Sequence, residues 1–296
     1  MTALQVFDLS RSYNRIKAVN NVSFDVNPGE IVGFIGPNGS GKTTTFRCIL
    51  DIIKRDSGIV KINGYAMPRF KVNAMAGTAC WMEISHLYYD LTAADHIDFV
   101  QDIHSVPKET VKKYVEIFDV GSFLNLKVHK YSYGMKQRLG LTLAAMTEPK
   151  LLLLDEPTNG LDPVGIMVFR EVLLSLAKEK GTAIFFSSHT LSELEKVVDR
   201  ALFIKKGEIV HTEENDNNHV YKIKTADIAK AMRLLAPLDV NAESDGEYIT
   251  FINTKSVDPV LSALYANGVA VLDVEKKETD LEKIFYSLYE RPNLDV

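Results

Sequence analysis

Gly36-Pro37-Asn38-Gly39-Ser40-Gly41-Lys42-Thr43-Thr44 gathers residue types that could do chemistry on phosphate. Residues 36–43 fit G-x-x-x-x-G-K-[ST], a loop whose glycines let backbone N–H groups converge on phosphate oxygens. Lys42 brings positive charge to the outer phosphates, and Thr43 brings a hydroxyl to a magnesium ion. Farther along, Asp155 and Glu156 follow an apolar run. Asp155 is a candidate to hold magnesium through water, and Glu156 a candidate general base for an attacking water. His189 closes another apolar run, where an imidazole can contact a terminal phosphate. Ser132 and Gly134 stand at an expected helix start, whose N–H groups favour an anion. Taken singly, His189 would be a structural histidine and Asp155-Glu156 a solvated strand end. Downstream of a phosphate loop, they fit one site.

These residues need elements to hold them. Residues 4 to 26 read as β, with Val22, Phe24 and Val26 alternating with Ser23 and Asp25. After the turn at Asn27-Pro28-Gly29-Glu30, Ile31–Ile35 is an apolar run that reads as a buried strand into the loop. Phe46, Ile49, Leu50 and Ile53 then recur at i, i+3, i+4 and i+7, one buried face of a helix. A short strand at 59–62 follows, while residues 65–80 carry no clear pattern. From Ala93 to about Leu126 the pattern is mostly helical, with Pro107 starting a new helix. A further helix opens at 131–138 and runs to about Met146. Leu151–Leu154 reads as a central parallel strand covered on both faces, which delivers Asp155-Glu156 at its C-terminal end. A helix carrying Phe169, Val172, Leu173 and Leu176 stops at Gly181, and a strand at 183–186 ends beside His189. Residues 201–210 read as a hairpin. Residues 212–218 are polar and read as a linker. Beyond them the order is strand 219–224, helix 226–236, strand 238–242, strand 247–252, helix 256–266, strand 269–275 and helix 279–289. The first six make the β-α-β-β-α-β order of a ferredoxin-like domain.

Composition narrows the classes. A chain of 296 residues has room for one large domain and one small one. Lys+Arg 34 against Asp+Glu 39 leaves a net charge of -5, which argues against a general nucleic-acid binder. The two cysteines, Cys48 and Cys80, form no motif and suit a reducing compartment, with Cys48 read as a small core residue. No apolar run approaches the roughly 20 residues of a membrane span. Met1-Thr2-Ala3-Leu4-Gln5 has no basic region before an apolar one, so no signal peptide is expected.

Over residues 4 to about 210 the sequence resembles the nucleotide-binding subunit of ATP-binding cassette (ABC) transporters. Five motifs occur in the family's order. GPNGSGKTT at 36–44 resembles its Walker A motif, and LLLLDE at 151–156 its Walker B motif with catalytic glutamate. YSYGMKQR at 131–138 sits where its signature lies, NGLD at 159–162 is similar to its D-loop, and SSH at 187–189 to its H-loop. Tyr13 matches the aromatic residue that stacks on adenine. The signature, usually LSGGQ, keeps Ser132 and Gly134 but has Tyr133 for a glycine and Met135 for the glutamine, a form that resembles the ABC-2 class of exporters. Glu83 occupies the place of the glutamine that normally touches magnesium and the attacking water. As a carboxylate it can contact the metal while adding negative charge beside the phosphates, and a plain surface glutamate is the other reading.

The resemblance implies an α/β fold, a P-loop NTPase core of the ABC type over 1–211, with a helical subdomain at about 84–147. A linker at 212–218 and an accessory domain at 219–296 would follow. It implies ATP as substrate and Mg2+ as cofactor. It implies a second ATP-binding subunit paired head to tail, so that Ser132 and Gly134 act in trans with Asp162 of the D-loop at the junction. It also implies an integral membrane permease that holds this cytoplasmic chain at the inner face of the cell membrane, with Leu87, Tyr88 and Tyr89 as docking residues. Two other classes stay open: a soluble ABC ATPase acting on DNA or ribosomes, and a nucleotide-sensing subunit of an asymmetric pair. The absence of a long coiled-coil insertion or a second cassette disfavours the first, and Glu156 with His189 speaks against the second.

Overall fold

The computed structural model describes residues 1–82, 87–189, 197–214, 219–236, 242–253, 257–277 and 281–289. Two compact units divide it: Met1–Glu213 with Leu281–Val296, and Glu214–Asp280.

The first unit holds two sheets. Strands β1 (Leu4–Tyr13), β2 (Ile16–Val26), β4 (Ser57–Ile62) and β5 (Tyr65–Met67) form an antiparallel sheet in the order β2-β1-β4-β5. Strands β3 (Ile31–Ile35), β6 (Thr78–Trp81), β7 (Leu151–Leu154), β8 (Ala183–Ser188), β9 (Arg200–Lys205) and β10 (Glu208–Glu214) form the second, in the order β10-β9-β3-β8-β7-β6. Its pairs β3·β8, β3·β9, β6·β7 and β7·β8 are parallel.

The apolar runs explain why this sheet lies at the centre. A strand sends successive side chains to opposite faces, so a strand covered on both sides must be apolar at every position. Val32, Phe34, Leu151, Leu153, Phe185, Leu202 and Ile204 enter the core shared with the antiparallel sheet. Ile31, Ile35, Leu152, Leu154, Ile184, Phe186 and Phe203 enter the core on the other face. That second core receives helices α3 (Ala93–His104), α4 (Lys108–Ile117), α5 (Tyr133–Ala145) and α6 (Pro163–Lys180). Thr92 caps α3 through a reciprocal pair with Asp95, and Ser132 caps α5 by accepting from the Met135 amide at 3.2 Å.

Some boundaries differ from the expected ones. The helix after the phosphate loop, α1 (Lys42–Ile49), stops before Ile53 because Asp51 takes a left-handed conformation (φ 55°), and the Ile52 and Ile53 amides donate to the Arg47 carbonyl. Residues 65–80, patternless in sequence, supply β5, the short helix α2 (Lys71–Met75) and β6. Pro107 precedes α4 as its cap and does not enter its first turn.

The second unit runs β11 (His219–Thr225), α7 (Ile228–Leu235), β12 (Ala242–Ser244), β13 (Tyr248–Asn253), α8 (Asp258–Ala266) and β14 (Val271–Lys277). Its antiparallel sheet has the order β12-β13-β11-β14. Ile223, Ile249 and Phe251 pack under Ala231, Leu235, Val260 and Leu264 of the two helices. The expected strand at 238–242 falls mostly outside the described residues, as does linker segment 215–218. The last helix, α9 (Leu281–Tyr289), corrects the expected 219–296 division. Leu281, Ile284, Phe285 and Leu288 repeat at i, i+3, i+4 and i+7 and join the core of the first unit that also holds Ile35 and Phe203.

Phe185 joins the two sheets. It is fully buried, with ring centroids 4.7 Å from Phe24, 5.3 Å from Phe34 and 4.8 Å from Phe46. Phe185→Ala should cost about 3–5 kcal/mol of unfolding free energy, read from the urea midpoint at unchanged m-value.

Candidate nucleotide site

Each element brings its functional residue to the C-terminal edge of the parallel strands, where open α/β sheets bind ligands. The phosphate loop leaves β3 at Gly36. A β-carbon there would lie 2.5 Å from the Ile204 carbonyl oxygen, so a side chain cannot fit. Gly41 has a φ of 114°, and a β-carbon on it would lie 2.3 Å from the Ala18 carbonyl oxygen. The loop is further held by the Gly207 amide, which donates to the Ser40 carbonyl at 2.8 Å. Ala18, Asn38, Gly39, Ser40, Gly41, Lys42, Thr43, Thr44 and Glu156 line an open cleft of about 200 Å³. Pro37 accepts the Ser40 amide at 3.2 Å and closes the turn.

The charges in the cleft are connected. The Lys42 ammonium is buried, donates to the Gly36 carbonyl at 2.6 Å, and lies 3.1 Å from Glu156 Oε1. The other oxygen of that carboxylate lies 2.7 Å from Nδ1 of His189. Glu156 therefore spans two basic groups across a site suited to phosphate. It does so from a left-handed backbone conformation (φ 50°), an uncommon state for a residue with a side chain.

Asp155 sits behind it, 5% exposed. Burial pushes its carboxyl above the usual range, opposed by hydrogen bonds from the Ser187 and Thr43 hydroxyls. The Ser187 hydroxyl donates to Asp155 Oδ1 at 2.6 Å and accepts from the Glu156 amide at 2.9 Å. One serine on β8 thus fixes both acidic residues at the end of β7. The two donors Thr43 and Asp155 fit a magnesium ion: a buried carboxylate beside a hydroxyl gains from a cation there. Among the described residues no group of three or more His, Cys, Asp or Glu forms an all-protein metal cage. An ion held by one or two protein groups, with phosphates and waters completing its shell, needs none.

Ser132 and Gly134 stand at the start of α5 and do not line the cleft. From the same helix Arg138 reaches Asp162 at 3.3 Å and Asp119 at 3.2 Å. Asp162 caps α6 by accepting from the Gly165 amide at 2.8 Å. Tyr133 lies on the D-loop: a β-carbon on Gly160 would be 2.1 Å from its ring. Tyr13, at the end of β1, is 43% exposed and lies outside the cleft lining, with the Arg11 guanidinium 4.8 Å over its ring. Glu83 lies outside the described residues. Of the expected docking residues, Leu87 is a core residue at 5% exposure, whereas Tyr88 and Tyr89 are exposed. Leu87 is taken up by the helical core, whose members include Ile97 and Val128.

A tie through Gln137 had no sequence signal, because Gln137 stands between Lys136 and Arg138 in the polar start of α5. The Trp81 indole N–H donates to its Oε1 at 3.1 Å, and its amide donates to the Pro157 carbonyl at 2.6 Å. The ends of β6, α5 and the segment after Glu156 are tied at one buried point. Ser187 was legible only as part of SSH, because its hydrogen bonds depend on strand order.

A family model described as ABC transporter matches residues 19–159. The chain is 34% identical over 297 residues to the bacitracin transport ATP-binding protein BcrA of Bacillus licheniformis, covering 97% of each chain. This chain belongs to the ATP-binding proteins of ABC transporters. The lantibiotic transport ATP-binding protein SrtF of Streptococcus pyogenes is 35% identical over 215 residues, 73% of this chain and 92% of that protein. A solved ATP-binding subunit of an ABC transporter superposes with a TM-score of 0.67 at 29% identity, over 73% of this chain and 91% of that one. ATP is accordingly the nucleotide of this ABC protein. No helix among its described residues is long and apolar enough to cross a membrane.

Burial of Asp155 has a measurable consequence. Its folded-state pKa is raised, so the folded chain holds that proton more tightly than the unfolded one, and stability falls as pH rises through the folded value. Asp155→Asn should therefore be more stable than wild type at pH 7, by about 0.5–2 kcal/mol in urea denaturation. The gain should shrink as the pH approaches about 4, where the unfolded carboxyl also binds its proton.

Proposed function

We propose that this chain hydrolyses ATP to drive a membrane exporter, working as one of two ATP-binding subunits on a permease. The observation that carries the reading is the Glu156 carboxylate, 3.1 Å from Lys42 and 2.7 Å from His189 at the mouth of the phosphate loop.

In the proposed mechanism Lys42 and the loop amides take the β- and γ-phosphates, whose negative charge replaces that of Glu156 beside the ammonium. Released from Lys42, Glu156 accepts a proton from a water whose oxygen attacks the γ-phosphorus. The bond to the β-phosphate oxygen breaks, and ADP and phosphate result. His189 holds the γ-phosphate and orients Glu156. Thr43 and Asp155 would hold magnesium, which neutralises phosphate charge when bound. Positioning and charge neutralisation carry most of such a reaction. Tyr13 supplies a ring for adenine.

Ser132 and Gly134 lie outside the cleft that Lys42 lines, which supports their acting on the ATP of a second subunit. Asp162 and Arg138 brace that junction from behind. ATP would close the pair and hydrolysis would open it. Tyr88 and Tyr89, exposed near the start of α3, are the proposed permease contacts. Export as the direction rests on full-length similarity to a protein named for bacitracin transport and on a signature of the ABC-2 form.

Glu156→Gln tests the assignment. Removing a general base should lower the ATPase rate at least about a hundredfold, while ATP-bound dimers persist on gel filtration. An unchanged rate would remove Glu156 from the catalytic role.

A further inference from the structure

The C-terminal helix α9 reaches the root of the phosphate loop. The chain arrives there only after passing through the second unit, yet α9 packs in the core of the first. Its last described residue, Tyr289, is half-buried, with the Phe285 ring 4.4 Å away. The Tyr289 hydroxyl donates to the Ile204 carbonyl at 2.8 Å, and the Ile35 carbonyl lies 3.3 Å from the same oxygen. A phenol carries one proton, so Ile204 takes the principal bond and Ile35 a share of it. The Lys205 ammonium donates to the Leu288 carbonyl and ties the helix end to β9.

Those two carbonyls are not ordinary strand atoms. Ile35 is the last residue of β3, and the next residue, Gly36, opens the phosphate loop. Ile204 backs the loop at both ends. Its carbonyl oxygen would be 2.5 Å from a β-carbon on Gly36, and its side chain 3.3 Å from one on Gly41. The Lys42 ammonium is in turn fixed by the Gly36 carbonyl. The Ile204 carbonyl therefore abuts the residue that opens the loop and whose own carbonyl holds the lysine.

We propose that Tyr289 is a positioning residue of the nucleotide site: its hydroxyl clamps the ends of β3 and β9 and so pre-forms the phosphate loop. The loop must curl so that several N–H groups point at one ligand. A loop already held in that shape binds without bearing the ordering cost on each encounter. The C-terminal helix thus belongs functionally to the nucleotide site, although some 245 residues separate Tyr289 from the loop. The assignment rests on the loop binding ATP and concerns what shapes it.

The test uses the full chain and Mg·ATP as the titrant in calorimetry. Tyr289→Phe removes one oxygen and keeps the ring against Phe285. One hydrogen bond's worth of pre-organisation corresponds to about a three- to tenfold rise in the dissociation constant. A purely structural role would lower the thermal midpoint and leave that constant at the wild-type value, and this result would overturn the proposal. Leu288→Ala, which loosens α9 without touching the hydroxyl, gives an independent reading. Amide hydrogen exchange across 36–42 should quicken in that variant without nucleotide present, whereas unchanged exchange would overturn the clamp. If the wild-type chain bound no Mg·ATP at all, the nucleotide assignment itself would fail, and the exchange measurement would still decide the clamp.

Discussion

A single carboxylate held between two basic side chains governs the arrangement of this site. Glu156 reaches Lys42 with one oxygen and His189 with the other. Those three residues come from the end of β7, the loop after β3 and the end of β8. They meet only because β3, β8 and β7 are neighbours, parallel and in register, with Gly33 opposite Phe186 and Phe186 opposite Leu154. A parallel sheet of this kind survives only with both faces covered. Hence the antiparallel sheet lies on one side and the helices on the other, with apolar residues at nearly every strand position. The electrostatics at the edge and the burial at the centre are consequences of one strand order.

Much of this was legible in the sequence because chemistry and periodicity coincide. The phosphate loop is contiguous, so its glycines and Lys42 declare themselves by spacing. The strands at 31–35, 151–154 and 183–186 are apolar runs, and each is followed within a few residues by groups suited to phosphate chemistry. The start of α5 was legible at 131–138, where the structure adds Ser132 as its cap, and the order of elements in the second unit through its alternation of strand and helix patterns.

The rest depended on contacts between distant segments. Ser187 holds Asp155 and the Glu156 amide across two strands, and nothing in a row of apolar residues followed by two serines says that Ser187 takes this place. Gln137 bridges Trp81 and Pro157, some 56 and 20 residues away in sequence. Leu87 looked like a docking residue because it adjoins two tyrosines, but the helical core takes it in. The helix at 281–289 carries an apolar stripe that fits either unit by pattern alone. Only the packing of Ile284, Phe285 and Leu288 against the first unit decides between them.

The proposed site is unfinished in one chain: Lys42 and Glu156 line the cleft and His189 adjoins Glu156, but Ser132 and Gly134 are not in its lining. The most direct measurement is the ATPase rate per mole of chain across a dilution series, with light scattering on the same samples. If a second copy supplies the signature, the specific rate should fall on dilution in step with loss of dimer, and the absolute rate should approach a square law in concentration. A specific rate that stays constant where the chain is monomeric would contradict a site shared between two subunits.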